Sequence, residues 1–188
     1  MNAPSTIKKL MHQAICLLEA SYTSKCPERP HSRIAIAASQ SLSLPHRELI
    51  RLCKSPDKTS ALVLANVVTQ LVIEKKSPTL LVTGRHSLAV LAVNLLLWRA
   101  GISLVEAIDS VWSEDEFLRL TVAASELASA PLLAVRTMPI FALQNLVHAS
   151  IADHGTRWVI MDNAQSESFG QLSQLSCKLD VPITIISP

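Results

Sequence analysis

The sequence predicts an α/β protein, a three-layer fold in which helices cover both faces of a parallel sheet. Two observations predict it. From Leu80 onward, short apolar runs alternate with longer stretches of helical pattern. Strands separated by helices are joined by crossovers, and crossovers produce parallel pairing. The chain also has 188 residues, 49% of them hydrophobic and 17% charged. That is long enough for one domain with a real core, and too apolar for a disordered chain.

The elements follow in order. Ile7, Leu10, Met11, Ala14, Ile15, Leu17 and Leu18 recur at helical spacing, which predicts a helix over residues 5–22 with Ser5 as its cap. The stretch TSKCPERPHS carries two prolines and reads as a linker or surface loop. Residues 34–43 fit neither pattern. Pro45 and His46 open a predicted helix through Cys53, because proline suits a first helical turn. Ser55-Pro56-Asp57 breaks it. A strongly apolar helix over residues 59–76 ends before Pro78. Strands are then expected at residues 80–83, 132–135, 157–161 and 182–186. Helices are expected at residues 88–99, 114–129, 140–154 and 168–179, with Ser113 capping the second. The organisation is thus an N-terminal helical extension and linker over residues 1–57, followed by the α/β unit over residues 58–188.

Composition excludes several function classes. The net charge of +2 makes no strong electrostatic case for nucleic acid. No apolar stretch of about 18 residues runs without a charge, so no membrane span is expected. Cys16, Cys26, Cys53 and Cys177 form no CxxC pair and no zinc spacing with histidine. They read as reduced thiols of a cytoplasmic protein. There is no GxSxG and no pair of metal-ligand motifs. The four glycines leave little material for a glycine-rich loop.

Ligands of open parallel sheets bind at the carboxyl ends of the strands. Those ends carry Gly84-Arg85-His86-Ser87, Arg136-Thr137, Asp162-Asn163 and Ser187-Pro188. Gly84, Arg85, His86 and Ser87 stand between a strand and an apolar helix, where a phosphate-binding loop would sit. Such a loop needs a lysine followed by Ser or Thr, and here Leu88-Ala89-Val90 follows instead. Asp162 ends an apolar strand, where a magnesium-holding aspartate would stand, or a residue that caps the following turn. Gln165 lies three residues beyond it. Arg136, at the end of another strand, is a candidate anion contact.

The order of these pieces resembles the RecA-fold motor domain of DnaB-type replicative DNA helicases. Ser113-Glu114-Asp115-Glu116-Phe117 resembles the family's acidic helix start. Ala130-Pro131-Leu132-Leu133 with Thr137-Met138-Pro139 resembles its "APLYIDDTP". His154-Gly155 matches its "HG", and Asp162-Asn163-Ala164-Gln165 closes a strand like its "IVIDYLQL". LDVPITIISP resembles "LNVPVIALSQ", and LLVTGRHS resembles "LIVAGRPS". The likeness covers residues 77–188 and implies a RecA-like sheet of the P-loop NTPase type.

The departures bear on activity. Where the family continues "MGKT", this chain has Leu88-Ala89-Val90. The strand ending in the family's catalytic glutamate, "SLEM", has no counterpart after Trp98-Arg99-Ala100-Gly101, and the chain stops before the family's arginine finger. The resemblance therefore implies a degenerate domain with Gly84, Arg85, His86, Ser87, Asp162 and Gln165 as vestigial nucleotide-site positions. The expected function is non-catalytic: binding and modulating a protein partner in DNA replication or maintenance. The partner is expected to be a replicative helicase, another RecA-like ATPase or a second copy of the chain. No cofactor and no metal are expected, with weak or no nucleic-acid binding. The alternative is residual nucleotide or single-stranded-DNA binding without ATP hydrolysis.

Overall fold

The computed structural model describes residues 4–23, 49–52, 60–84, 87–103, 107, 112–162 and 169–186. In chain order the elements are β1 (Ser5–Thr6), α1 (Ile7–Thr23), β2 (Leu49–Leu52), α2 (Ser60–Val68, continued by a π-helix over Thr69–Glu74) and β3 (Thr79–Thr83). Then come α3 (Leu88–Ala100), α4 (Glu114–Ala128), β4 (Leu132–Arg136), α5 (Ile140–His154), β5 (Trp158–Asp162), α6 (Phe169–Leu179) and β6 (Ile183–Ile186).

The strands form one six-stranded sheet in the order β1-β4-β3-β5-β6-β2. All pairs are parallel except β1 with β4. The predicted class is therefore observed: a mostly parallel sheet between two helical layers. Strands β3 and β5 are buried along their whole length. Their continuous apolar runs fit a sheet covered on both faces. One core joins α1, α2, α3 and α4 to Leu81, Ala134, Trp158 and Ile160. The other joins α5 and α6 to Leu80, Val82, Val159, Ile183 and Ile185. Alternate residues of each strand serve opposite cores, as the period of two requires.

Local chemistry explains the element ends. Ser113 accepts from the Glu116 amide while Glu116 accepts from the Ser113 amide, a reciprocal capping box at the start of α4. Gly101 and Gly155 take the left-handed conformation that ends α3 and α5. Arg119 donates to the carbonyls of Ala100 and Gly101, and Arg99 pairs with Glu126 at 2.6 Å, so α3 and α4 are also tied at their ends.

Two expectations are corrected. The helix predicted from Pro45 through Cys53 is instead a strand over Leu49–Leu52, and the rest of that stretch lies outside the described residues. It pairs in parallel with β6, and this tertiary pairing overrides the local pattern. Ser5 does not open α1 as its cap. It pairs with Ala134 in an antiparallel edge strand, and the helix begins at Ile7. The strongly apolar helix expected over residues 59–76 is observed, burying Leu64, Val67, Val68, Leu71 and Val72 in the core and closing as a π-helix. Residues 1–57 supply β1 and β2 to the sheet and α1 to its core. The expected linker and residues 34–43 lie outside the described residues.

Candidate functional site at the carboxyl edge of the sheet

The chain leaves β3 toward α3, on one face, and leaves β5 toward α6, on the other. Neighbouring strands whose connections depart to opposite faces open a crevice at their carboxyl ends, where such sheets bind ligands. By that rule the site is expected at the carboxyl ends of β3 and β5, where Thr83 and Asp162 stand. The register aligns Arg136, Thr83, Asp162 and Ile186 in one row across β4, β3, β5 and β6. Leu52, the last residue of β2, continues it.

Asp162 is only 4% exposed. Thr83 donates its hydroxyl to Asp162 Oδ2 at 3.1 Å, and the Gly84 amide donates to the Asp162 carbonyl at 3.1 Å. The Thr137 amide donates to the Thr83 carbonyl at 2.9 Å, so three strand ends are stitched together. Of these donors the Thr83 hydroxyl reaches the carboxylate itself, and a buried polar group costs free energy unless it is hydrogen-bonded. Asp162 is thereby held at the strand edge as an acceptor.

The sequence-predicted residues divide as follows. Gly84 and Asp162 meet at this edge, and Arg136 is exposed in the same row. Ser87 caps α3, accepting from the Val90 amide at 3.2 Å. Its hydroxyl therefore has a structural partner. Arg85, His86 and Gln165 lie outside the described residues. Among the described residues, no group of three or more His, Cys, Asp or Glu could hold a metal ion. No helix among them is long and apolar enough to cross a membrane.

Strand β2 exposes a pair that the sequence reading missed. With residues 45–53 read as a helix, a phosphate loop was sought only after residues 80–83. Between β2 and α2 the chain reads Cys53-Lys54-Ser55-Pro56-Asp57-Lys58-Thr59. Strand, short connection, Lys-Thr and helix is the order in which phosphate loops are written. Leu52 and Asp57 occupy the places where that pattern has glycine. Lys58-Thr59 was the available signal, and it needed a strand in front of it to be read.

No family model matches the chain, and no curated protein matches it in sequence. Among solved structures it is similar to a DnaB-like replicative helicase whose structure was described with its interactions with primase. The TM-score is 0.59 at 13% sequence identity, over 76% of this chain and 39% of that one. The chain has a RecA/DnaB-like fold. It spans well under half the length of that helicase, and at this identity the likeness is one of fold.

Proposed function

We propose that this RecA/DnaB-like chain is non-catalytic and binds and modulates a protein partner in DNA replication or maintenance, the partner being a replicative helicase or another RecA-like ATPase. The observation that carries the reading is the outward face of α4. Phe117, Leu118 and Val122 are 62%, 61% and 51% exposed on it, while Leu120, Ala123 and Leu127 on the opposite side are buried. Residues four apart share a helix face, so Leu118 and Val122 form an apolar ridge with Phe117 beside them. Clustered exposed apolar side chains mark contact surfaces. Lack of hydrolysis is supported by what flanks Asp162. Among the described residues, the strand ends in its row carry Thr83, Arg136, Ile186 and Leu52, none of them a carboxylate that could activate water. The test is the unwinding rate of a DnaB-type helicase titrated with the chain. A saturable change in rate, absent with the Phe117→Ser/Leu118→Ser variant, supports the reading. An unchanged rate opposes it.

A second reading is nucleotide binding without cleavage. It is favoured by the parallel pairing of β2 with β6, which puts a strand before Lys58-Thr59 and a helix after them. Phosphates bind at such helix starts through backbone N–H groups and a lysine. Leu52 and Asp57 in place of glycine weaken this reading, since side chains obstruct close approach of the backbone to phosphate.

A further inference from the structure

At the amino edge of the sheet, opposite the carboxyl edge discussed above, lies a cleft of about 220 Å³. Its walls are mainly apolar, with Pro78, Ala130, Pro131 and Leu133 among them. Its few polar groups are Thr6 and Lys8 at the start of α1, Thr79, His154 and Thr156. An apolar cleft with a small number of convergent polar groups is the usual form of a small-molecule site.

Two features bear on the ligand: the first points to an anion, the second to a polar atom within hydrogen-bond reach. The first is the charge at the start of α1. Helix N-termini favour negative side chains, yet this first turn holds Lys8 and Lys9 and no acid. Lys8 makes no ion pair. Two cations therefore sit on the positive end of a helix dipole, and a bound anion would relieve that repulsion. The second is Thr156. It is 3% exposed and its amide donates to the Ser150 carbonyl, but among the described residues its hydroxyl has no hydrogen-bond partner. Buried hydroxyls are normally paired. Thr79, the neighbouring buried threonine of the cleft, is paired, donating to the Ser77 carbonyl at 2.8 Å.

We propose that this cleft binds a small carboxylate with an aliphatic body. The head group would take the α1 start, Lys8 and the Thr156 hydroxyl, and the body would lie against the proline and leucine walls. A single negative charge fits better than a phosphate dianion, because among the described residues Lys8 is the one lysine or arginine lining the cleft. The inference is independent of the partner-binding reading, since α4's outward face and the carboxyl edge play no part in it.

Titration calorimetry of the full chain with sodium hexanoate, and with 1-hexanol as its neutral counterpart, tests it. Saturable hexanoate binding is expected, with 1-hexanol about ten-fold weaker or worse, the scale of one charge-assisted contact. Lys8→Ala should weaken hexanoate by about ten-fold and Thr156→Val by several-fold on the same scale, while Lys178→Ala on α6 leaves it unchanged. Lys8 is exposed, so its variant keeps the test decisive even if Thr156→Val folds poorly. No saturation at millimolar hexanoate, equal affinity for the alcohol, or indifference to Lys8→Ala would each overturn the proposal.

Discussion

Thr83 and Asp162 lie in register on adjacent parallel strands, and the Thr83 hydroxyl donates to Asp162 Oδ2 at 3.1 Å with both residues buried. This bond holds a carboxylate at the carboxyl ends of two strands whose connections leave to opposite faces. Thr83→Val keeps the shape and removes the donor. The net contribution of one such hydrogen bond is about 0.5–1.5 kcal/mol. Urea unfolding should show that loss with an unchanged m-value. Unchanged stability would mean that the bond is not formed in solution.

The start of α4 makes a separate prediction about pH. The Ser113 amide and hydroxyl both donate to Glu116 Oε2 at 2.8 Å. The amide, first, and then the hydroxyl hold the Glu116 carboxyl below its ordinary range. A carboxyl whose folded pKa is depressed contributes stability above its unfolded pKa. That contribution is lost as pH falls through the folded value. The stability gap between wild type and Glu116→Ala should therefore be open at neutral pH and close in acid. Ser113→Ala should cost about 1 kcal/mol at neutral pH, as other N-cap serines do. Thermal unfolding across a pH series reads both.

Much of the architecture was legible because α3, α4, α5 and α6 each follow or precede a short apolar strand, and their ends carry clear signals. Ser113 marks the start of α4 in the sequence as in the structure, where Gly101 and Gly155 end α3 and α5. The two edge strands were not legible. Ser5–Thr6 is too short to show a period, and Leu49–Leu52 follows a proline that suits a helix start equally well. Both are strands because a neighbour offers an unpaired edge, which is a tertiary fact. The misread β2 carried a consequence for the site, since it hid Lys58-Thr59. Asp162 was readable as a strand end. Its partner Thr83 was not, because the sequence does not say that β3 and β5 are neighbours.

Leu81 and Ile160 sit fully buried on the central strands, facing the helical layer that includes α1. Leu81→Ala should cost about 2–5 kcal/mol, and Ile160→Val about 0.5–1.5 kcal/mol. By contrast Phe117→Ser and Leu118→Ser change exposed positions. Each should stay within about 0.5 kcal/mol of wild type. Equal losses in both groups would place the α4 face in a contact made by the isolated chain, such as self-association.

Nucleotide experiments separate the two functional readings. Phosphate release from ATP with magnesium is expected to stay at background, because arginines rather than a carboxylate follow β3 and end β4. If the connection between β2 and α2 holds phosphate, a non-hydrolysable ATP analogue at a hundred times its dissociation constant adds about 2.7 kcal/mol of stability. Lys58→Ala should then abolish the shift. A shift abolished by Arg85→Ala alone would return the phosphate site to the end of β3.

Sedimentation velocity of the chain mixed with a purified DnaB-type helicase tests the central claim most directly. The account predicts a heavier boundary that contains both proteins and is lost with Phe117→Ser/Leu118→Ser. Independent sedimentation of the two proteins, or a complex indifferent to that substitution, would contradict it.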